Sequence, residues 1–360
     1  MLGVVVHAAL DLRVEEINNI EPGPGEVQIR IAAGGICGSD LHYFNHGGTD
    51  SIRLREPMIL GHEIAGTIAA LGPGVSGIAP GTRVAINPSR PCGDCENCRA
   101  GLRNHCIDMR FMGSAMRFPH IQGGFREMLC VDRDQVFPVA EDVSLGEAAM
   151  AEPLAVCLHA VRRAGPLEGR QVLVTGCGPI GILTIMAARD AGAAGIVATD
   201  IHDSALALAH KLGADHVLNV AEDPEALAEF AKRSGAFHVH FEASGSALVL
   251  RGALPHLRPR GILVQLGLGG DVGLPLNLVV TREIDLRGSF RFDKEFEEAV
   301  ALINSGRIDV RPLLSAVFPL DRVLEAFALA NDKSKATKVQ ISFGQDIQQQ
   351  PSAGTMLGHR

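Results

Sequence analysis

The sequence lacks any apolar run long enough to cross a bilayer, which removes a membrane-spanning role. It also lacks an apolar leader behind a basic start, so the expected compartment is the cytoplasm. Positive charge is scarce: 33 Lys and Arg stand against 41 Asp and Glu, a formal net charge of -8, and the pI is near 6.0. A phosphate backbone is bound by a basic excess, so nucleic acid is excluded as the partner. No internal repeat is visible, and Tyr43 is the only tyrosine. Cysteine is sparse as well, with 8 in 360 residues, and a chain this long buries a core without disulfide staples.

Half of those cysteines nevertheless fall in one short run, CGDCENCRAGLRNHC, which holds Cys92, Cys95, Cys98 and Cys106. Four soft thiolates on one tight excursion can close a tetrahedral shell around zinc, so a structural Zn²⁺ site is expected there. The other four, Cys37, Cys130, Cys157 and Cys177, stay reduced in a cytosolic setting.

The length suggests two domains. Up to about residue 150, EVQIRIAAGGIC, EIAGTIAALGPG and TRVAINP read as short strands broken by Pro and Gly, an all-β pattern. From Gly169 strand and helix alternate: QVLVTG, a helix from Pro179 to Ala191, IVATD, DSALALAHKLG, HVHFEAS, SALVLRGALPHL, GILVQLGLG and EIDLRGSF. This is the pattern of a parallel doubly wound sheet. DKEFEEAVALINSG and DRVLEAFALAND then read as amphipathic helices and KVQISF as a closing strand, all expected to fold back onto the first domain. The Gln-rich stretch 345–360 is expected to be a disordered tail.

Gly176, Gly178 and Gly181 form G-x-G-x-x-G after a strand and at the mouth of a helix, where backbone N–H groups hold a pyrophosphate. The next strand ends in Asp200, roughly 20 residues on, where a carboxylate accepts hydrogen bonds from the adenosine ribose and repels a 2′-phosphate. NAD is expected, with NADP possible beside His202.

Upstream, GGICGSDLHY and LGHEIAG supply Cys37, His62 and Glu63, a sulfur, nitrogen and oxygen set of the kind found at catalytic zinc. Together with the four-cysteine run and the nucleotide fold, these segments resemble the zinc-dependent medium-chain alcohol and polyol dehydrogenases over nearly the whole chain. The resemblance implies an α/β protein with a GroES-like β-rich catalytic domain, residues 1–152 and 292–344, and a Rossmann NAD-binding domain at 153–291. It implies a catalytic Zn²⁺ beside the structural one, and a homo-oligomer, dimer or tetramer. Where simple alcohol dehydrogenases place a third cysteine ligand, AMAEPLAVCLHA carries Glu152, as in the sorbitol dehydrogenase branch, so the third ligand is Glu63 or Glu152. Cys157 belongs to the core. Ser39 and His42 match the family's proton relay, with Tyr43 beside the pocket. Ile180 is expected under the pyrophosphate, and Leu266, Gly267, Leu268, Phe290, Arg291 and Phe292 along the nicotinamide half. Where sorbitol dehydrogenases carry an arginine beyond the ribose-binding Asp, this chain has Ala205, which loosens the NAD preference.

VAINPSRPCG, DMRFMGSAMRFPHIQGGF, EIDLRGSFRF and VRPLLSAVFPL resemble, as a set, the L-idonate-oxidising branch of that family. A sugar-acid substrate carries a carboxylate, which guanidinium recognises in a fork. Arg110, Arg117 and Arg291 lie in these segments and are the candidates. Within the enzyme class the alternatives are a general polyol dehydrogenase or an L-threonine-type dehydrogenase. Outside it stands a non-catalytic NAD-binding protein.

Overall fold

The computed structural model describes residues 1–49 and 52–344; the tail assigned to 345–360 lies outside the described residues. Period-two patterning builds the first unit. In strand Glu26–Gly35, Val27, Ile29, Ile31 and Ala33 are buried, which fixes the side of the sheet that meets the core. The strand pairs antiparallel with Glu63–Leu71 along one edge, and with Met128–Asp132 and Lys338–Ser342 along the other. Arg83–Ile86, Val136–Pro138 and Leu314–Pro319 complete a seven-stranded sheet. Gln340 sits opposite Gly35, so the last described strand returns to the point where the chain leaves for Cys37.

The first 150 residues are not all β. GSDLHYFNH forms helix Gly38–His46. Cys37 is its extended N-cap, and Asp40, three residues on, accepts the Cys37 N–H at 2.9 Å in a capping box. Gly47 closes it in the left-handed conformation.

The second unit is a six-stranded parallel sheet. Its spatial order is His216–Asn219, Gly195–Asp200, Gln171–Thr175, Phe237–Glu242, Leu257–Gln265, Asp285–Gly288. Numbered along the chain this is 3-2-1-4-5-6, the doubly wound order, whose switch point lies between Gln171–Thr175 and Phe237–Glu242. Helix Pro179–Asp190 opens at that point.

Of the two late amphipathic helices, Val323–Asn331 packs on the first unit's strands Leu314–Pro319 and Lys338–Ser342. Glu295–Asn304 instead lies along helix Ala151–Ala164. An apolar face tells that a helix is packed, not against what. Leu154, Leu158, Ile182, Ile185, Phe296 and Ile303 belong to one continuous core joining these helices to the parallel sheet, which anchors Glu152 at the start of Ala151–Ala164.

Candidate active site

Two segments converge on one buried spot. Cys37 caps helix Gly38–His46, His62 and Glu63 open strand Glu63–Leu71, and donor atoms of these three residues lie within 4.8 Å of one another. Asp40 joins the two segments: besides the Cys37 N–H, its carboxylate accepts the Gly61 N–H at 3.2 Å. Gly61 has φ +95, and a Cβ there would lie 2.1 Å from the Phe125 ring, so only glycine makes this turn.

The surroundings fit a cation. Nδ1 of His62 is buried without a hydrogen-bond partner, and Asp40 Oδ1 stands 3.8 Å from it, the usual place of a carboxylate that orients a metal-binding imidazole. Burial opposes a charged His62, but Asp40, Cys37 and Glu152 outweigh it and raise its pKa to about 10. The acidic groups gathered round this buried imidazole, Asp40, Cys37 and Glu152, give the site the charge balance a divalent ion needs.

The two candidate carboxylates differ. Both oxygens of Glu63 accept from Lys338 Nζ at 2.7 Å, and Lys338 also donates to the Ile36 carbonyl at 3.2 Å. Both side chains are almost wholly buried. Glu152, also buried, makes no ion pair among the described residues. Burial, with Glu63 nearby, raises its pKa to about 7 against the pull of His62, Lys338 and Arg291. Asp40 and Lys338 escaped the sequence reading. The signals were faint: an acidic residue three after Cys37, and a lysine in an otherwise inward-facing strand.

Ser39 and His42 lie three apart on helix Gly38–His46 and are exposed. Partial burial, with His46 and Lys333 nearby, lowers the pKa of His42. Tyr43 is buried, and its hydroxyl oxygen accepts the Ala115 N–H at 2.9 Å. Cys157 is fully buried and its thiol donates to the Ile180 carbonyl at 3.2 Å.

The arginines separate. Arg110 and Phe111 are neighbours on a two-residue strand, so they face opposite sides. Phe111 turns towards the site, its ring 5.5 Å from that of His62; Arg110 is exposed on the other side. Arg117 is engaged in an ion pair with Asp108. Arg291 is the one placed beside the donor set. Its guanidinium lies 4.0 Å over the Phe111 ring, and Nη2 is 3.0 Å from Met116 Sδ. Burial lowers its pKa to about 10, while Glu152 and Tyr43 act to hold the charge. Its φ of +54 is uncommon for a side-chain-bearing residue.

At the sheet's switch point, a Cβ on Gly181 would lie 1.7 Å from the Gly176 carbonyl oxygen, while space beside Gly178 is open. The tight turn and open cradle at a helix N-terminus suit a pyrophosphate. Asp200 accepts from the N–H groups of Cys177, Ile201 and His202 at 2.6, 2.7 and 2.9 Å, and Oδ2, which takes only the first of these, retains capacity for a hydroxyl. Leu266 and Gly267 both donate to the Glu242 carbonyl at 2.9 Å, which brings the exposed Leu268 to the same end of the sheet. Phe290 is partly exposed, whereas the Phe292 ring is buried against Phe296, so only its backbone is free to meet a cofactor.

The other cluster is self-contained. Cys92, Cys95, Cys98 and Cys106 place their sulfurs within 4.8 Å of one another, on a loop closed at its base by Ser89–Arg90 paired with Arg110–Phe111. The Cys92 N–H donates to Cys106 Sγ at 3.2 Å and the Cys98 N–H to Cys95 Sγ at 3.5 Å. The N–H groups of Cys98 and Ile107 pull the Cys95 thiol down, which favours the thiolate that a metal takes as ligand.

Residues 23–141 match the alcohol dehydrogenase GroES-like domain and residues 179–305 the zinc-binding dehydrogenase domain. The chain is 42% identical to L-idonate 5-dehydrogenase (NAD(P)(+)) of Escherichia coli (strain K12), over 88% of this chain and 91% of that protein. It is 37% identical to sorbitol dehydrogenase of Gallus gallus, over 91% and 92% of the two chains. The crystal structure of the Escherichia coli L-idonate 5-dehydrogenase superposes with a TM-score of 0.91 at 40% identity, covering 95% of this chain and 97% of that one. With both donor sets and the nucleotide cradle in place, the chain belongs to the zinc-dependent, NAD(P)-linked medium-chain alcohol and polyol dehydrogenases.

Proposed function

We propose that this enzyme oxidises a secondary hydroxyl of a sugar acid, L-idonate to 5-keto-D-gluconate, with NAD as the preferred acceptor. The observation that carries the reading is Arg291. It is a half-buried guanidinium one aromatic ring away from His62, with no ion pair among the described residues and only a thioether as hydrogen-bond acceptor. Its unspent donors match a substrate carboxylate in a bidentate fork.

Cys37, His62 and Glu152, the last directly or through water, would hold the catalytic zinc, with Glu63 kept on Lys338. When bound, zinc supplies a Lewis acid that lowers the pKa of the substrate hydroxyl, and NAD supplies the hydride acceptor. Ser39 takes the hydroxyl proton and His42 hands it to solvent. Arg291 orients the acid so that one hydroxyl faces the donor set. Asp200 supports NAD, while Ala205 and His202 leave room for NADP.

The test is NADH formation by the zinc-loaded enzyme with L-idonate, sorbitol and L-threonine at equal concentration, repeated with NADP. Preference for L-idonate is expected. Preference for sorbitol would replace the sugar acid by a neutral polyol, a reading favoured by the likeness to sorbitol dehydrogenase, with Arg291 then serving only to neutralise Glu152.

A homo-oligomer is proposed through the sheet edge Asp285–Gly288, where Leu286, Leu276 and Val280 are exposed. Light scattering that gives a monomer mass would remove it. A reducing compartment such as the cytoplasm is proposed, since it preserves the thiolates of both donor sets for metal.

A further inference from the structure

The four-cysteine lobe does more than close on itself. Its tip, Arg103–His105, reaches across to the segment that carries Arg291. The buried Asn104 donates from Nδ2 to the Phe290 carbonyl at 2.9 Å. The His105 ring stacks on the Phe290 ring, centroids 5.9 Å apart and planes at 29°. Arg103 Nε stands 3.6 Å from Asp293 Oδ1. Phe290 in turn lies under the guanidinium of Arg291, 4.9 Å from its ring centroid. At the other end of the lobe, Phe111 supports the same guanidinium at 4.0 Å. Arg291 is therefore held between the base of the lobe and a residue fixed by its tip.

Two features make these contacts matter. Arg291 adopts φ +54, a conformation its own side chain does not favour, so its neighbours must impose it. Behind the contact lies a polar cavity of about 470 Å³, lined by Arg90, Arg103, Asn104, Arg133, Asp134 and Asp293 among others. A packed core does not duplicate the work of Asn104 and His105 on that side. Within the lobe, Asn97 Nδ2 donates to the His105 carbonyl at 2.7 Å, tying the tip to the turn that carries Cys95 and Cys98.

We propose that the lobe tip is a positioning device: Asn104 and His105 fix Phe290, and through it set the guanidinium of Arg291 for the substrate carboxylate. The inference rests on the reading of Arg291 as the carboxylate-binding group. It assigns the lobe a part in substrate selection, where a metal-stabilised excursion alone would predict none.

The experiment uses the full-length, zinc-loaded enzyme with NAD. Asn104→Asp keeps the shape but cannot donate to the carbonyl; His105→Ala removes the stack from an exposed position that folding does not need. The double variant should raise KM for L-idonate about tenfold, the size of one lost hydrogen bond and one lost ring contact. Its kcat should stay within about twofold, and KM for sorbitol should not move. His105→Phe in place of His105→Ala should restore the part of the loss that belongs to the ring contact. Hydrogen exchange in the peptide spanning residues 286–296 should rise in the double variant, with lobe zinc still at one ion per chain. Unchanged exchange there, or equal losses on the acid and the polyol, would overturn the inference. Arg291→Met separates the two claims. If it leaves the preference for L-idonate intact, the reading of Arg291 fails. If it abolishes the preference while the lobe variants keep it, the reading stands and the positioning role falls.

Discussion

The two metal-ligand clusters solve the same problem in opposite ways. The lobe draws four identical ligands from one 15-residue run and steadies their sulfurs with its own backbone N–H groups. The site at Cys37 and His62 draws different ligands from separate elements, and borrows Asp40 to brace their segments and Lys338 to neutralise the adjacent Glu63. A cluster built from one loop orders that loop when metal binds. A cluster built between elements is ordered by the fold first and receives its metal afterwards. The first should therefore respond to ligand loss in stability, the second in chemistry.

The largest effect expected is on the lobe. A structural zinc in a short cysteine loop contributes on the order of 10 kcal/mol to local folding, so Cys95→Ser should unfold the lobe and lower the melting temperature of the holoenzyme. His62→Ala should do the reverse, abolishing turnover while the lobe keeps its zinc and its protection from proteolysis. Limited proteolysis and metal counting on both variants decide this. Loss of lobe order in His62→Ala, or intact melting in Cys95→Ser, would erase the contrast.

The next effect sharpens the claim that the buried site depends on distant support. Lys338→Met would strand Glu63 as an unpaired buried carboxylate, at a cost of about 3–5 kcal/mol, read as a drop in the urea midpoint. Adding Glu63→Gln should return most of it, since a neutral amide needs no counter-charge. If the double variant is no more stable than Lys338→Met, the pair is not what holds this corner together.

The same contrast explains what the sequence made legible. The lobe announces itself because all its ligands are neighbours along the chain. The nucleotide cradle does so because Gly176, Gly178, Gly181 and Asp200 sit at offsets set by one strand–helix–strand unit. Cys37, His62 and Glu63 were readable only through their flanking motifs. Lys338 was not, since its partner lies 275 residues away and a lone lysine in KVQISF carries no periodic signal. Helix Gly38–His46 was hidden by its glycine-rich approach and short length, and it is Asp40, a side-chain cap, that starts it. Arg110 was misplaced for a similar reason. The alternation of a two-residue strand is too short to show in sequence, yet it turns Arg110 away and Phe111 inward.

The smallest predicted effect tests the finest difference between the clusters, the source of ligand orientation. Asp40 accepts two backbone N–H groups, from Cys37 and Gly61, and faces the orphaned Nδ1 of His62. Asp40→Asn keeps the volume but removes the charge, and its amide nitrogen must turn towards one of those donors. Loss of a carboxylate behind a metal-bound histidine typically costs about 10–100-fold in metal affinity. Dialysis against a graded chelator should therefore strip zinc from this site at a lower chelator strength than in the parent enzyme, while the lobe zinc leaves at an unchanged one. Activity per ion remaining at the Cys37–His62 site should hold steady, because Asp40 orients the ligand and does not touch the reacting atoms. If both zincs loosen together, Asp40 supports the fold as a whole, and the separation between a loop-built cluster and a fold-built one is weaker than the geometry implies.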